Sequence, residues 1–241
     1  QRSDSSNRLR VLLLGDSVAW SIGSNFYGTG KQPDADDRIL LWNRGQYACF
    51  PDNAPGNSPG ELREHENECP DWTDRWMGYV EEFSPHIVVV PVSQFMTMDR
   101  RVGDTTIPFD SPSMRQRIED AYSQMAEDLS ARGAVIVFTT VIPNESVAAG
   151  FGTDDIEDTQ RRELELNQII DDVVAAHPET SRLIDLAGWI CEEARCAKEI
   201  DGVTLRPDGS HFSPESSPLA GKFLTDELLA LNDELGLVNV Q

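Results

Sequence analysis

The stretch Leu9-Arg10-Val11-Leu12-Leu13-Leu14-Gly15-Asp16-Ser17-Val18-Ala19-Trp20 decides how the rest of the chain is read. Leu9 to Leu14 is a short apolar run, and Gly15-Asp16-Ser17 breaks it. Beyond the break Val18, Ile22 and Phe26 return at helical spacing. The pattern predicts strand, tight turn and helix, with Ser17 at the junction. Four further apolar runs repeat the strand half of that unit: residues 39–42, 87–90, 134–138 and 183–186. Ile87-Val88-Val89-Val90 is β-branched throughout, as suits a strand buried on both faces of a parallel sheet. Between the runs lie helical patterns: Trp72, Trp76, Tyr79 and Val80 on one face, then residues 114–129, 155–176 and 214–235. Parallel strands need helix-sized crossovers, so the expected fold is α/β, a three-layer α/β/α sandwich around a five-stranded parallel sheet. In such sheets reactive groups gather at the carboxyl ends of the strands, which is where Ser17 stands.

The chain has 241 residues, enough for one full core, and one domain is expected over residues 9–241 behind a linker, residues 1–8. The polar start Gln1-Arg2-Ser3-Asp4-Ser5-Ser6 reads as a linker cut from something longer, with a further N-terminal portion before it. Forty-two acidic against twenty basic residues give a net charge of −22, which repels phosphate backbones and anionic bilayers and excludes nucleic acid as a partner. No apolar run approaches the roughly 20 residues that span a bilayer. Cys49 and Cys69 bracket a segment rich in Pro, Gly and Asn, and Cys191 and Cys196 enclose a short loop. No C-x-x-C pair suggests zinc or redox exchange. Two local disulfides, and with them an oxidising compartment, are the economical reading; four reduced thiols in a cytosolic protein are the alternative.

A serine hydroxyl attacks a carbonyl only when a base accepts its proton, and that base needs a carboxylate to orient it. Ser17 follows a strand and opens a helix, so its own backbone N–H is among the unpaired donors of the first turn and favours a developing oxyanion. Asp208 and His211 lie three apart in Arg206-Pro207-Asp208-Gly209-Ser210-His211-Phe212, just before the last helix. A loop can fold that spacing so that the carboxylate reaches the imidazole. Ser17, His211 and Asp208 are therefore the candidate nucleophile, base and orienting acid. Asp16 reads as a turn residue bonding nearby backbone N–H groups.

With strand-Gly-Asp-Ser-helix at one end and Asp-x-x-His before the C-terminal helix at the other, the chain resembles the SGNH (GDSL-type) hydrolase superfamily, an SGNH/flavodoxin-like sandwich. The segments 10–20 and 201–212, the Cys49 loop and Asp99-Arg100-Arg101 look like the extracytoplasmic SGNH domains fused behind multi-spanning membrane acyltransferases. The resemblance implies no cofactor and transfer of an acyl group, usually acetyl, from a donor delivered by the N-terminal membrane domain to a bacterial surface glycan or glycolipid acceptor. It implies a periplasmic or cell-surface, membrane-tethered protein. A carbohydrate acetyl esterase of the same fold, or a glycan-binding domain with a vestigial triad, are the alternatives. The superfamily adds oxyanion donors from a second-block Gly and a third-block Asn. Here Gly45, or a neighbour up to Ala48, stands for the first. No Asn follows the third strand, and Gln94 stands for the second.

The remaining candidates divide simply. Trp20, close after the nucleophile, is expected to line the substrate pocket, whereas Trp42, Trp72 and Trp76 are expected to fill the core. Asp99 and Arg100 are expected to form an ion pair or hold the third-block loop. Arg100 or Arg101 touching an anionic substrate is the alternative. His65, His86 and His177 show no ligand spacing, and no metal site is expected.

Overall fold

A computed structural model of the chain describes residues 7–26, 38–54, 56–57, 64–144, 155–192 and 195–240. Most of the expected linker lies outside the described residues. Five parallel strands form the central sheet: β1 (Leu9–Leu13), β2 (Ile39–Asn43), β3 (Ile87–Pro91), β4 (Val135–Thr139) and β5 (Ser181–Ile184), in the order β2-β1-β3-β4-β5. The helices are α1 (Ser17–Phe26), α2 (Trp72–Phe83), α3 (Pro112–Ser130), α4 (Ile156–Ala176), α5 (Leu186–Ile190) and α6 (Ser217–Leu235).

Because successive strand side chains point to opposite faces, each apolar run feeds two cores. Leu12, Val88, Val90, Ile136 and Phe138 pack under α2, α3 and α4 through Trp76, Ile118, Tyr122 and Ile170. Val11, Leu13, Val89 and Val137 face α1, α5 and α6 through Ile22, Ile190, Leu224 and Leu228. Trp72 and Trp76 are buried, as core residues, and Trp42 is half-buried under the Arg44 guanidinium at 3.8 Å. Order β2-β1-β3 places the strand order reversal beside β1, the position where doubly wound sheets open a crevice at their carboxyl ends.

Details differ from the periodicity. The last strand ends at Ile184 because the Asp185 carboxylate accepts the Gly188 N–H at 2.8 Å and caps α5, an extra short helix. A small antiparallel sheet joins Gly56–Asn57, Glu64–His65, Asp99–Val102 and Thr105–Ile107. Asp99 and Arg100, expected to form an ion pair or hold the third-block loop, take separate partners, and Arg100 donates to the Phe95 carbonyl of that loop. Consecutive strand residues point to opposite faces, so Asp99 meets Arg162 at 2.9 Å while Arg100 turns inward to Asp52 at 3.2 Å. Arg117 closes on the same carboxylate, and the two guanidiniums outweigh burial to hold Asp52 below the usual carboxylate range. Two disulfides, Cys49–Cys69 and Cys191–Cys196, leave no free cysteine among the described residues.

Candidate active site

Ser17 owes its position to the turn before it. Gly15 has φ +126°, a conformation L side chains rarely adopt, and an added Cβ would stand 3.2 Å from that of Ala19. Asp16 then turns its buried carboxylate back onto the helix start, accepting the Val18 N–H at 2.8 Å. Its other oxygen accepts the Ser93 hydroxyl at 2.6 Å, and the Ser93 N–H in turn donates to the Tyr122 hydroxyl at 3.3 Å. Burial pushes the Asp16 carboxyl above its ordinary value, against the bond from Ser93. Asp16 is thus the expected turn residue, and also the link between the Ser17 turn and the end of β3.

At the other end of the chain the loop before α6 brings its pair to Ser17. His211 Nε2 lies 2.7 Å from Ser17 Oγ, and His211 Nδ1 lies 2.7 Å from Asp208 Oδ2. Asp208 Oδ1 accepts the backbone N–H groups of Ser210 and His211 at 2.9 and 2.8 Å. Burial works against the Asp208 carboxylate, yet the bonds from the His211 ring and these N–H groups hold it below its ordinary value. The Asp208 side chain is 56% exposed, so its aim comes from hydrogen bonds rather than packing.

Ser17 and His211 open onto a pocket of about 530 Å³, also lined by Phe212, Trp20 and Tyr47 among others. Trp20, expected at the substrate pocket, is one of its lining residues and is 56% exposed. Tyr47, 64% exposed, was not singled out in the sequence, although it lies inside the Gly45–Ala48 window. Large side chains left this open to water at the mouth of a pocket have surface available for a ligand.

The two borrowed oxyanion donors are placed otherwise. The Gly45 N–H donates to Asn43 Oδ1 at 2.9 Å, and the glycine is required because a Cβ would fall 2.3 Å from the Trp20 nitrogen in α1. The neighbouring Gln46 N–H goes to the Gly15 carbonyl at 2.9 Å. Gln94 is buried, with Oε1 accepting the Ser210 hydroxyl at 2.9 Å and Nε2 donating to the Ile142 carbonyl at 3.4 Å. Its amide is engaged because Ser210, in the loop that carries Asp208 and His211, bonds to it. The N–H of Ser17, at the helix start, finds no acceptor among the described residues; nor do those of Tyr47 and Ala48. Ala48 is held at φ +48° beside the Cys49 disulfide.

His86 accepts the Arg10 N–H at Nδ1, and no group of His, Cys, Asp and Glu side chains among the described residues is arranged to hold a metal.

Residues 1–225 match the sequence family described as SGNH domain (fused to AT3 domains). No curated protein sequence matches the chain. Among solved structures, a GDSL-like lipase from Bacteroides thetaiotaomicron superposes with TM-score 0.60 at 13% identity, over 92% of this chain and 89% of that one. The aryl esterase of M. smegmatis gives 0.57 at 14% identity, covering 92% and 99%. Est24, a carbohydrate acetylesterase from Sinorhizobium meliloti, gives 0.56 at 13% identity over the same shares. These likenesses carry the fold.

Proposed function

The chain belongs to the family of SGNH domains fused to AT3 domains, and from that membership we propose that it is a serine-dependent O-acyltransferase, acting through Ser17, His211 and Asp208 on a surface glycan or glycolipid. The observation that carries the reading is the unbroken line of two 2.7 Å contacts from Asp208 through His211 to Ser17 at the mouth of an open pocket. His211 Nε2 takes the Ser17 proton as Oγ attacks the acyl carbonyl. The negative charge that develops on the carbonyl oxygen is met by the Ser17 N–H at the start of α1. Collapse expels the donor's leaving group, which takes the proton from His211, and leaves an acyl-Ser17 ester. A sugar hydroxyl then gives its proton to His211, attacks that ester and leaves acylated, and the proton returns to Ser17.

With Gly45 and Gln94 engaged elsewhere, the oxyanion rests on Ser17 and on the Tyr47 or Ala48 N–H. Each missing donor typically costs about 10²–10³ in turnover, so a slow enzyme is expected. The AT3 partner domain supplies the donor in this reading, and the two disulfides suit an extracytoplasmic site. No helix among the described residues is long and apolar enough to cross a membrane. The second reading, a carbohydrate acetyl esterase, is favoured by the partial exposure of His211, which admits water as the acceptor.

The test is hydrolysis of a short-chain aryl acetate by wild type, Ser17→Ala and His211→Ala, with and without glycan fragments. Ser17-dependent turnover with acyl product on the glycan is the expected result. Product only in water establishes the esterase, and turnover that survives Ser17→Ala removes the triad and leaves a glycan-binding domain.

A further inference from the structure

The loop from Arg206 to Phe212 carries both Asp208 and His211, and little of it is buried around them. Asp208 is more than half exposed and Gly209 sits at φ +86°, so neither residue's packing fixes the base over Ser17. What enters the protein between them is Ser210. Its side chain is buried, and its hydroxyl donates to Gln94 Oε1 at 2.9 Å across a sequence separation of 116. Gln94 is itself fixed on the short 3₁₀ turn after β3, where its Nε2 reaches the Ile142 carbonyl at 3.4 Å. The same carbonyl accepts Arg206 Nη1 at 3.2 Å, and Arg206 also ties the Gly209 carbonyl at 3.1 Å and the Pro143 carbonyl at 2.9 Å. Gln94, Ser210 and Arg206 together wall a small cavity of about 20 Å³ beside Val18.

We propose that Gln94 is a positioning residue that acts through the Ser210 hydroxyl to hold the Asp208–His211 loop in register with Ser17, rather than a donor to the oxyanion. The chemistry requires this order of precision, since a displacement of about 1 Å of a reacting group costs about 10² in rate. Ser210 lies two residues after Asp208 and one before His211, so the tether on its hydroxyl limits both side chains at once. The Arg206 contacts restrain the entrance of the loop, and Ser210 restrains its centre.

The assignment rests on the triad reading, and the experiment separates the two. Wild type, Ser17→Ala, Ser210→Ala, Gln94→Ala and the Ser210→Ala/Gln94→Ala double variant are compared for aryl acetate turnover and, independently of turnover, for amide hydrogen exchange in residues 206–212. The expected result is faster exchange in the segment for both single loop variants and none for Ser17→Ala. A kcat about tenfold to hundredfold lower with unchanged KM is expected in Ser210→Ala and in Gln94→Ala, with their double variant no worse than either. An oxyanion role for Gln94 instead gives a slow Gln94→Ala beside a normal Ser210→Ala, with unaltered exchange in both. That pattern overturns the proposal. So does a fall in melting temperature with wild-type kcat and exchange confined to global unfolding, which marks a merely structural bond. If wild type lacks Ser17-dependent turnover, the triad reading falls, and the exchange data alone uphold or overturn the tether.

Discussion

Arg100 Nε stands 3.2 Å from Asp52 Oδ2, and neither side chain has measurable access to water beyond 1%. The pair joins the Cys49 loop to the segment after β3, and Arg100 also donates through Nη2 to the Phe95 carbonyl. A buried cation without its counterion costs about 3–5 kcal/mol. Asp52→Ala is therefore expected to lower the unfolding free energy by about that amount, read from urea denaturation. Asp99→Ala, whose partner Arg162 keeps Asp158 at 3.0 Å, is expected to cost much less.

In the proposed mechanism Ser17 and His211 act as a unit, so their removal should not add. Ser17→Ala, His211→Ala and the double variant are each expected to lose about 10⁴ or more in kcat, with the double no worse than the singles. Asp208→Ala should be about a hundredfold milder, because orientation alone is lost. Single-turnover kinetics with an activated ester check this.

Trp20 and Tyr47 present exposed ring surface at the pocket mouth. Trp20→Ala and Tyr47→Ala should each raise the acceptor KM about tenfold, with aryl acetate hydrolysis within twofold of wild type. Trp20 is the most exposed tryptophan among the described residues, so a neutral oligosaccharide should also change the intrinsic fluorescence, and that change should vanish in Trp20→Phe.

Glu163 is buried beside Asn144, and burial pushes its carboxyl from 4.5 up to about 7 despite bonds from the Asn144 N–H at 2.8 Å and side-chain amide at 2.6 Å. Between those two values the folded protein holds a proton that the unfolded chain has released, so stability falls as pH rises from about 4.5 to 7 and stays lower above. At about 1.4 kcal/mol per pH unit, the cost from this group approaches about 3 kcal/mol. Glu163→Gln removes the titration, and its melting temperature should exceed that of wild type at pH 8 and lie close to it at pH 4.5.

The Cys49–Cys69 bond closes a loop with a sequence separation of 20 next to the Gly45–Tyr47 wall of the pocket. Cys49→Ser/Cys69→Ser should cost about 2–4 kcal/mol of stability and reduce turnover beyond the loss of folded protein. Thermal melts paired with kcat per folded molecule separate the two.

Four of the five strands were legible as short apolar runs, while the fifth lies two residues before its expected place, because Ser181 and Arg182 break the apolar pattern and Asp185 caps α5; the residues of the proposed triad stand out at the turn from β1 to α1 and in the loop before α6. The partners of individual polar groups were not legible. Gly45 was read as a donor, but Asn43, two residues earlier, folds back to take its N–H. Gln94 was read by its place after β3, whereas its bond is set by Ser210, which no local pattern brings near. Arg100 and Asp52 are separated by 48 positions, and alternation along a strand, which turns Arg100 inward and Asp99 away, was the available signal against pairing neighbours. The hairpin around Gly103-Asp104 carried its own turn signature, with Gly103 at φ +61° between strands that end at Val102 and begin at Thr105.

Ser17 and His211 meet across 194 positions, and α6, which follows the histidine, is fastened to the nucleophile's helix by the Ser217 hydroxyl on the Ser21 carbonyl at 2.8 Å. In time rather than space, this makes the proposed reactive centre a late product of folding: within the domain the nucleophile is synthesised 194 positions before its base, and a domain that folds as a unit brings the two together only after α6 has docked on α1. Until then, in the proposed mechanism, the Ser17 hydroxyl lacks the base that activates it.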